Sequence, residues 1–459
     1  MTGIHRLNSR AGMFQFWFGQ LGNNGMMLVR GRSQARDSAQ GISVSRDNLV
    51  ARYTAVRRMS EALSRPLAPD DYGLQAMPDV SPAKWHLAHT SWFFETFLLK
   101  AFVPGYRPFH PQFEHLFNSY YDQVGIPFPR PSRGLLSRPT VEEVFRYRAQ
   151  VDEAMVSLLA TVEQQHWPEV AARATLGCHH EEQHQELFLT DIKYNFAINP
   201  LKPAYREDLP AAPAGAGTAL GWIEQAGGTL EIGHDGAGFT FDNEGPRHRS
   251  LLAPYALASR LVTNGEYLEF IKAGGYARSE YWLADGFRAM RERQWQAPLY
   301  WEQSDGHWQL FTLAGTCPLN EHEPVCHVSF YEADAYARWS GKRLPTEAEW
   351  ESVAQQQLVH GNLRESGYLH PVPAAPGAEP AQLFGDVWEW TGSPYAPYPG
   401  YRPAPGALGE YNGKFMVNQM VLRGGSCVTP TVHIRASYRN FFYPADRWQF
   451  SGIRLADDR

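Results

Sequence analysis

The run Cys178-His179-His180-Glu181-Glu182-Gln183-His184-Gln185-Glu186 organises the rest of this chain. On a helix, His180 and His184 lie one turn apart on a single face, where two imidazoles can close on one metal ion. A pair needs a third ligand. An upstream run, Trp85-His86-Leu87-Ala88-His89-Thr90-Ser91-Trp92-Phe93-Phe94, offers His89 from a second apolar, helical stretch. Neutral imidazole suits iron, zinc, copper and nickel alike, so the histidines alone do not select the metal. Three of them leave coordination positions free for chemistry.

Read literally, His180-Glu181-x-x-His184 is also the zinc metallopeptidase pattern, with Glu181 as general base. Glu186 is too near to be the downstream ligand of such an enzyme, and Asp191 and Asn195 are weak substitutes. His86 and His179 are the neighbours most easily confused with ligands, since His86 precedes His89 by three residues and could share its face.

Around these histidines the sequence predicts four long helices. The first carries Leu49, Tyr53, Val56 and Met59 at helical spacing; the second starts at Ser81-Pro82, a serine cap followed by proline, and runs to about Phe102. Thr140-Val141-Glu142-Glu143 is a capping-box start for the third, and Trp167-Pro168-Glu169 opens the fourth, which ends before Asn199-Pro200. Residues 46–202 therefore read as a four-helix bundle. Residues 203–218, with Pro203, Pro210 and Pro213 among Ala and Gly, read as a linker. From 219 to 459 short β-like runs, glycines and aromatics predict an irregular domain of small sheets, with helices only over Tyr331 to Ser340 and Thr346 to about Gln355. The fold class is α+β. Residues 1–45 read as a disordered extension.

The 459 residues carry a formal charge of −6 and 43% hydrophobic residues, so no basic excess favours nucleic acid or an anionic membrane. No segment is long and apolar enough to span a bilayer. Four scattered cysteines, Cys178, Cys317, Cys326 and Cys427, suggest neither a disulfide framework nor a zinc knuckle and fit a reducing cytoplasm. Small molecules are the expected partners, and the oligomeric state is left open.

The long irregular stretch from His110 to Arg138 has the length of a functional loop. It holds the adjacent phenols Tyr120 and Tyr121, which near a metal could donate a proton, and Arg130 and Arg133, whose guanidinium forks can grip a carboxylate. Ordinary loop packing is the competing account of all four.

Taken together, Trp85 to His89, Asn118-Ser119-Tyr120-Tyr121 and His180 to Glu186 resemble the ergothioneine-biosynthesis sulfoxide synthases, a family of non-haem iron enzymes. Their N-terminal part is a DinB-like bundle, and their C-terminal part resembles the formylglycine-generating enzyme and the C-type-lectin-like fold. The second signature is present in Leu261 to Tyr267, Gly341-Lys342-Arg343-Leu344-Pro345-Thr346-Glu347-Ala348-Glu349-Trp350-Glu351, Gly385-Asp386-Val387-Trp388-Glu389-Trp390 and Leu422-Arg423-Gly424-Gly425-Ser426. The Arg343 and Trp388 motifs read as structural.

The resemblance implies that His89, His180 and His184 hold Fe(II) and that Gln183 helps place the imidazole of hercynine, the trimethylated histidine. It implies a proton-donor role for Tyr120 or Tyr121, and a grip on the cysteine carboxylate by Arg130 and, less directly, Arg133. The segment Tyr438 to Gly452 would close the pocket, with Asn440 toward a substrate carboxylate and Phe441 and Phe442 suited to a quaternary ammonium. Members using γ-glutamylcysteine carry an acid where Phe442 stands, which favours free cysteine. The implied reaction joins cysteine sulfur to the imidazole C2 of hercynine with O2, giving hercynylcysteine sulfoxide. Alternatives within the family are a selenoneine synthase fed by a selenosugar and an ovothiol-type synthase; outside it stand the zinc metallopeptidase and a non-catalytic binding module. Formylglycine formation needs a reactive cysteine pair, and Cys427 has no second cysteine near it in sequence.

Overall fold

Ser45 accepts a hydrogen bond from the Asn48 amide at 3.2 Å and so caps the first helix, Arg46–Ser64, whose buried face carries Leu49, Tyr53, Val56 and Arg57. The computed structural model describes residues 45–213, 215, 217–377 and 380–459; apart from Ser45, the expected extension over 1–45 lies outside them. The second helix, Ala83–Phe94, does not use the serine cap that the sequence suggests. Pro82 occupies the cap position without a side-chain bond, and Ser81 Oγ instead accepts from Arg133 Nη1 at 2.9 Å. The helix then widens through a π turn over Glu95–Leu99 and ends at Phe102.

The third helix, Val141–Thr161, starts on the expected capping box, with Glu143 N to Thr140 Oγ1 at 3.2 Å and Thr140 N to Glu143 Oε2 at 2.7 Å. Val144, Tyr147, Val151, Met155 and Leu158 form its core stripe. The fourth, Trp167–Ile198, has 32 residues. At 1.5 Å per residue it is roughly 48 Å long, enough to serve the bundle on one side and the second domain on the other. That double duty explains why four consecutive polar residues, His179 to Glu182, are all buried.

Inside the bundle Glu181 is fully buried and held by Arg57 Nη1 at 2.8 Å, Arg148 Nη2 at 3.0 Å and Ser60 Oγ at 2.6 Å. Arg57 also reaches Asp152 at 2.6 Å, so this knot ties the first, third and fourth helices together.

No helix or strand lies between Ile198 and Trp222 among the described residues. Beyond Trp222 the chain forms small sheets. The one that matters for the site has four strands in the order Asn440–Phe442, Met420–Arg423, Trp388–Pro394 and Ser451–Gly452, the last pair parallel and the others antiparallel. A three-stranded sheet of Trp222–Gln225, Tyr255–Ala258 and Ala456–Asp458 closes the domain by pairing its two ends on one strand.

The helices expected in this domain are Phe330–Trp339 and Glu347–Ala354, and three more among the described residues, Asn264–Lys272, Ala284–Glu292 and the short Glu410–Gly413, go beyond the sequence reading. Buried ion pairs replace regular layering. Arg423 meets Glu347 at 2.9 Å and Glu351 at 2.8 Å, Arg439 meets Glu347 at 2.8 Å, and Arg454 meets Glu389 at 2.7 Å. The Arg343 and Trp388 motifs supply several of these groups, and Trp350 Nε1 donates to Glu389 at 2.7 Å.

Among the described residues no helix is long and apolar enough to cross a membrane, and all four cysteines are free.

Candidate metal centre and cavity

His89 and the His180/His184 pair, from two different helices, bring their ligand-capable nitrogens within 4.8 Å of one another. Two of the three rings are oriented by what lies behind them, while His180 Nδ1 is buried with no hydrogen-bond partner among the described residues. His89 Nδ1 donates to the Phe117 carbonyl at 2.5 Å, which leaves Nε2 as a lone pair, 3.2 Å from His180 Nε2. His184 Nδ1 lies 2.9 Å from His86 Nδ1, and His86 Nε2 lies 3.0 Å from Asp191 Oδ2. A carboxylate accepts only, so His86 carries its proton on Nε2 and takes the His184 Nδ1 proton on its other nitrogen. His184 Nε2 is thereby a lone pair as well. Burial is the main cause that holds all three imidazoles below the usual histidine range, His180 down to about 4, so each is in its neutral, ligating form near neutral pH.

His86, which could have shared the ligand face, is thus the partner behind a ligand-capable ring, and Asp191 supports it while also accepting from the Ser81 amide at 2.8 Å. Glu181, the base of the peptidase alternative, turns away into the bundle. Although burial pushes its carboxyl up, Arg57 and Arg148 hold it down at about 2, so it has no basicity to offer.

A second group, His179, Glu182 and His433, also has ligand atoms within 4.8 Å of one another. Here a cation is already built in. Arg52 Nη2 donates to His179 Nε2 at 2.9 Å and to Glu182 Oε2 at 3.3 Å, and His179 Nδ1 lies 3.1 Å from the same carboxylate oxygen. The His89 trio receives no such side chain among the described residues, which separates the two clusters chemically.

The trio opens onto a cavity of about 200 Å³ between the bundle and the sheet domain. Tyr120 and Tyr121 both line it, in different settings. The Tyr120 hydroxyl accepts from Arg130, and its ring packs edge-on against Phe415, with centroids 5.0 Å apart. Tyr121 is buried against Trp92 and Phe97, its hydroxyl engaged by none of the described residues, and burial raises its phenol far above the ordinary value. Arg130 also donates to the Asp79 carbonyl. Arg133 donates to Ser81 Oγ at 2.9 Å and Ser119 Oγ at 3.1 Å and lies 3.4 Å over the Trp85 ring. Neither arginine is paired with a carboxylate side chain among the described residues.

From the fourth helix Gln183 Nε2 donates to Tyr438 Oη at 2.7 Å, leaving its carbonyl oxygen unengaged. On the sheet side Asn440 turns Oδ1 back to accept from the Phe441 amide at 2.9 Å. Phe441 stacks on Tyr395 at 4.0 Å, and Phe442 lies edge-on to Trp448 at 6.1 Å. All three are half-buried cavity walls.

Sequence reasoning missed Glu186, which fastens the helix to the sheet domain by accepting from Trp388 Nε1 at 2.5 Å, Ser426 Oγ at 2.9 Å and Thr429 Oγ1 at 2.8 Å. Gly424 and Gly425, both at positive φ, turn the chain into this contact. A Cβ on Gly424 would lie 2.7 Å from the Leu383 carbonyl oxygen. Tyr411 is a further wall that no sequence signal announced, whereas Tyr438 and Gln449, also walls, belong to the segment that the resemblance implies closes the pocket. Cys427 and Cys326 are buried, which pushes both thiols up, Cys326 to about 12, the reverse of what a reactive pair requires.

Comparison with known proteins agrees with this division of the chain. The DinB superfamily model matches residues 52–188, and the sulfatase-modifying factor enzyme 1-like domain matches residues 210–372 and 373–459. The hercynine oxygenase of Mycolicibacterium smegmatis is 32% identical over 452 residues, covering 89% of this chain and 100% of that protein. That of Mycobacterium tuberculosis is 33% identical over 410 residues, covering 83% and 92%. The formylglycine-generating enzyme of Streptomyces coelicolor is 30% identical over 268 residues, covering 47% of this chain and 83% of that one. With both domains matched in order and the similarity running through nearly the whole length, the chain belongs to the hercynine oxygenase family of oxidoreductases.

Proposed function

We propose that this protein is a non-haem iron(II), O2-dependent sulfoxide synthase that joins the sulfur of cysteine to the imidazole C2 of hercynine. The observation that carries the reading is the His89, His180 and His184 trio. Two imidazole nitrogens facing each other at 3.2 Å, with the third ring's lone pair turned the same way, form a donor set that a divalent cation relieves. The overall change balances as thiol plus imidazole C–H plus O2 giving the S-linked sulfoxide plus water. Iron(II), held by these three nitrogens, would supply the redox chemistry that brings O2 to bear on sulfur.

The chain's own residues then have binding and proton work to do. The Gln183 carbonyl can accept the hercynine imidazole N–H, because its amide nitrogen is already committed to Tyr438. Asn440 can offer its Nδ2 to the hercynine carboxylate, since its oxygen is occupied by the Phe441 amide. The quaternary ammonium has no N–H and is suited by the aromatic faces of Phe441 and Phe442. Arg130 and Arg133, two guanidinium groups close enough to repel each other, favour an anion between them, and the cysteine carboxylate is one. A phenol, Tyr120 or Tyr121, delivers a proton during bond formation.

The test is anaerobic reconstitution with Fe(II), followed by O2, hercynine and competing donors: cysteine, γ-glutamylcysteine and a selenosugar. Products are identified by mass spectrometry. Hercynylcysteine sulfoxide as the main product supports the reading, a selenium-linked product redirects it to the selenoneine branch, and bound zinc with peptide hydrolysis overturns it.

A further inference from the structure

His433 is fully buried in the sheet domain, yet through Tyr438 it reaches an amide on the fourth helix that lines the cavity. Its Nε2 lies 3.0 Å from Tyr438 Oη, and that oxygen is 2.7 Å from Gln183 Nε2. Among the described residues no other group hydrogen-bonds the Tyr438 hydroxyl or the Gln183 side chain. The Arg435 guanidinium lies 5.2 Å over the Tyr438 ring, but its donors go to Glu244 and the His433 carbonyl. A phenol has one hydrogen to give. Given to His433, it leaves Tyr438 Oη as an acceptor for Gln183, so the amide turns its nitrogen inward and its carbonyl to the cavity. Were His433 Nε2 protonated instead, the phenol hydrogen could go to the amide oxygen and the amide would turn the other way.

The groups behind His433 set its tautomer. Arg52 only donates, so His179, whose Nε2 is 2.9 Å from Arg52 Nη2, carries its proton on Nδ1. The buried Glu182 Oε2 lies 3.1 Å from His179 Nδ1 and 3.5 Å from His433 Nδ1, and the two Nδ1 atoms are 3.0 Å apart. A bare His433 Nδ1 could accept from His179, but it would turn its lone pair on a buried anion. A protonated one shares the carboxylate with His179, and an acceptor-only group facing both rings favours that arrangement. His433 Nε2 is then the bare nitrogen that takes the Tyr438 hydrogen.

We infer that Tyr438 is a positioning residue: backed by His433, it locks the Gln183 amide with its carbonyl toward the cavity, so that a ring N–H is accepted there and a bare ring nitrogen is rejected. The inference rests on the proposed reaction for the identity of the ring, that of hercynine. It adds a discrimination that glutamine alone lacks, since a free amide can turn either end to a ligand.

The experiment uses the full-length, iron-loaded protein without O2. Dissociation constants are read from tryptophan fluorescence for hercynine and for its pyrimidinyl analogue, whose two ring nitrogens both lack hydrogen. The wild type should bind hercynine at least about tenfold more tightly than the analogue. Tyr438→Phe frees the amide to turn, so it should bind the analogue about fivefold more tightly than the wild type does, with the hercynine constant within about threefold. His433→Phe, which removes the acceptor of the phenol hydrogen, should move the ratio in the same direction. Gln183→Glu has an oxygen at both ends and nothing to turn, so adding Tyr438→Phe to it should leave its ratio within about twofold. A side chain that merely walls the cavity would weaken both ligands together, in both backgrounds. That pattern, a wild type that favours the analogue, or a ratio unchanged in either single variant would overturn the inference. Wild-type protein that binds neither ring overturns the proposed reaction and the inference together, whereas hercynine binding with an unchanged ratio in Tyr438→Phe overturns the inference alone.

Discussion

His86 stands directly behind His184, Nδ1 to Nδ1 at 2.9 Å, with Asp191 3.0 Å from its other nitrogen. This line of three side chains fixes which nitrogen of His184 carries the proton, and so which one faces His89 and His180. In Asp191→Asn the amide can donate to His86, which reverses the proton order and puts a hydrogen on the His184 nitrogen that faces the trio. Both Asp191→Asn and His86→Ala should weaken iron binding by about 10- to 100-fold, the usual cost of losing the group behind a histidine ligand. Chelator competition under anaerobic conditions measures it, and an unchanged affinity would show that His184 is oriented by its helix alone.

Glu181 makes the opposite prediction from its sequence motif. A peptidase base could be changed to Ala with loss of activity and little loss of stability. Here Glu181→Ala would strand Arg57 and Arg148 inside the bundle, and about 3–5 kcal/mol of folding stability should be lost. Denaturant unfolding followed by far-ultraviolet circular dichroism decides between the two.

The bundle was legible because its signals are local. Thr140 and Glu143 cap each other, Leu49, Tyr53 and Val56 recur at helical spacing, and His180 and His184 share a face as their spacing requires. Ser81 was misread because a distant arginine, Arg133, outcompetes the helix for its hydroxyl. The helix Asn264–Lys272 was missed although Thr263 and Glu266 form a capping box, since no long apolar period follows it. The sheet-side wall was the least legible part. Trp388, Tyr438 and Gln449 reach the cavity from short strands and turns, and the docking of the fourth helix on the sheet domain, through Glu186 and Gln183 among others, puts them opposite the histidines.

The two neighbouring phenols should separate on mutation. Tyr120 is tied to Arg130, so Tyr120→Phe frees that guanidinium and should act chiefly on donor binding, as a raised KM. The hydroxyl of Tyr121 is committed to none of the described residues, and Tyr121→Phe should lower C–S bond formation by about 100-fold or more, the lower range for a positioned proton donor, with cysteine sulfinate taking its place. Product ratios by mass spectrometry test this. Equal effects of the two variants on KM and on product ratio would remove the distinction.

Asp386 gives the sheet domain a pH dependence of its own. It is 2% exposed, its Oδ1 accepts from Asn362 Nδ2 and the Val372 amide, both at 2.8 Å, and burial raises its carboxyl to about 7. The folded state therefore holds this proton more tightly than the unfolded chain does. A raised carboxyl contributes stability that is fully present below the unfolded value near 4 and is lost as pH rises toward about 7, with a slope of up to ~1.4 kcal/mol per pH unit. Asp386→Asn keeps the accepting oxygen and removes the ionisation. Between pH 4 and about 7 the variant's stability should fall by one proton's slope less than that of the wild type, and at pH 8 it should equal or exceed it. Urea unfolding at a series of pH values measures the slope; identical slopes in the two proteins would mean that Asp386 is already ionised when the domain folds.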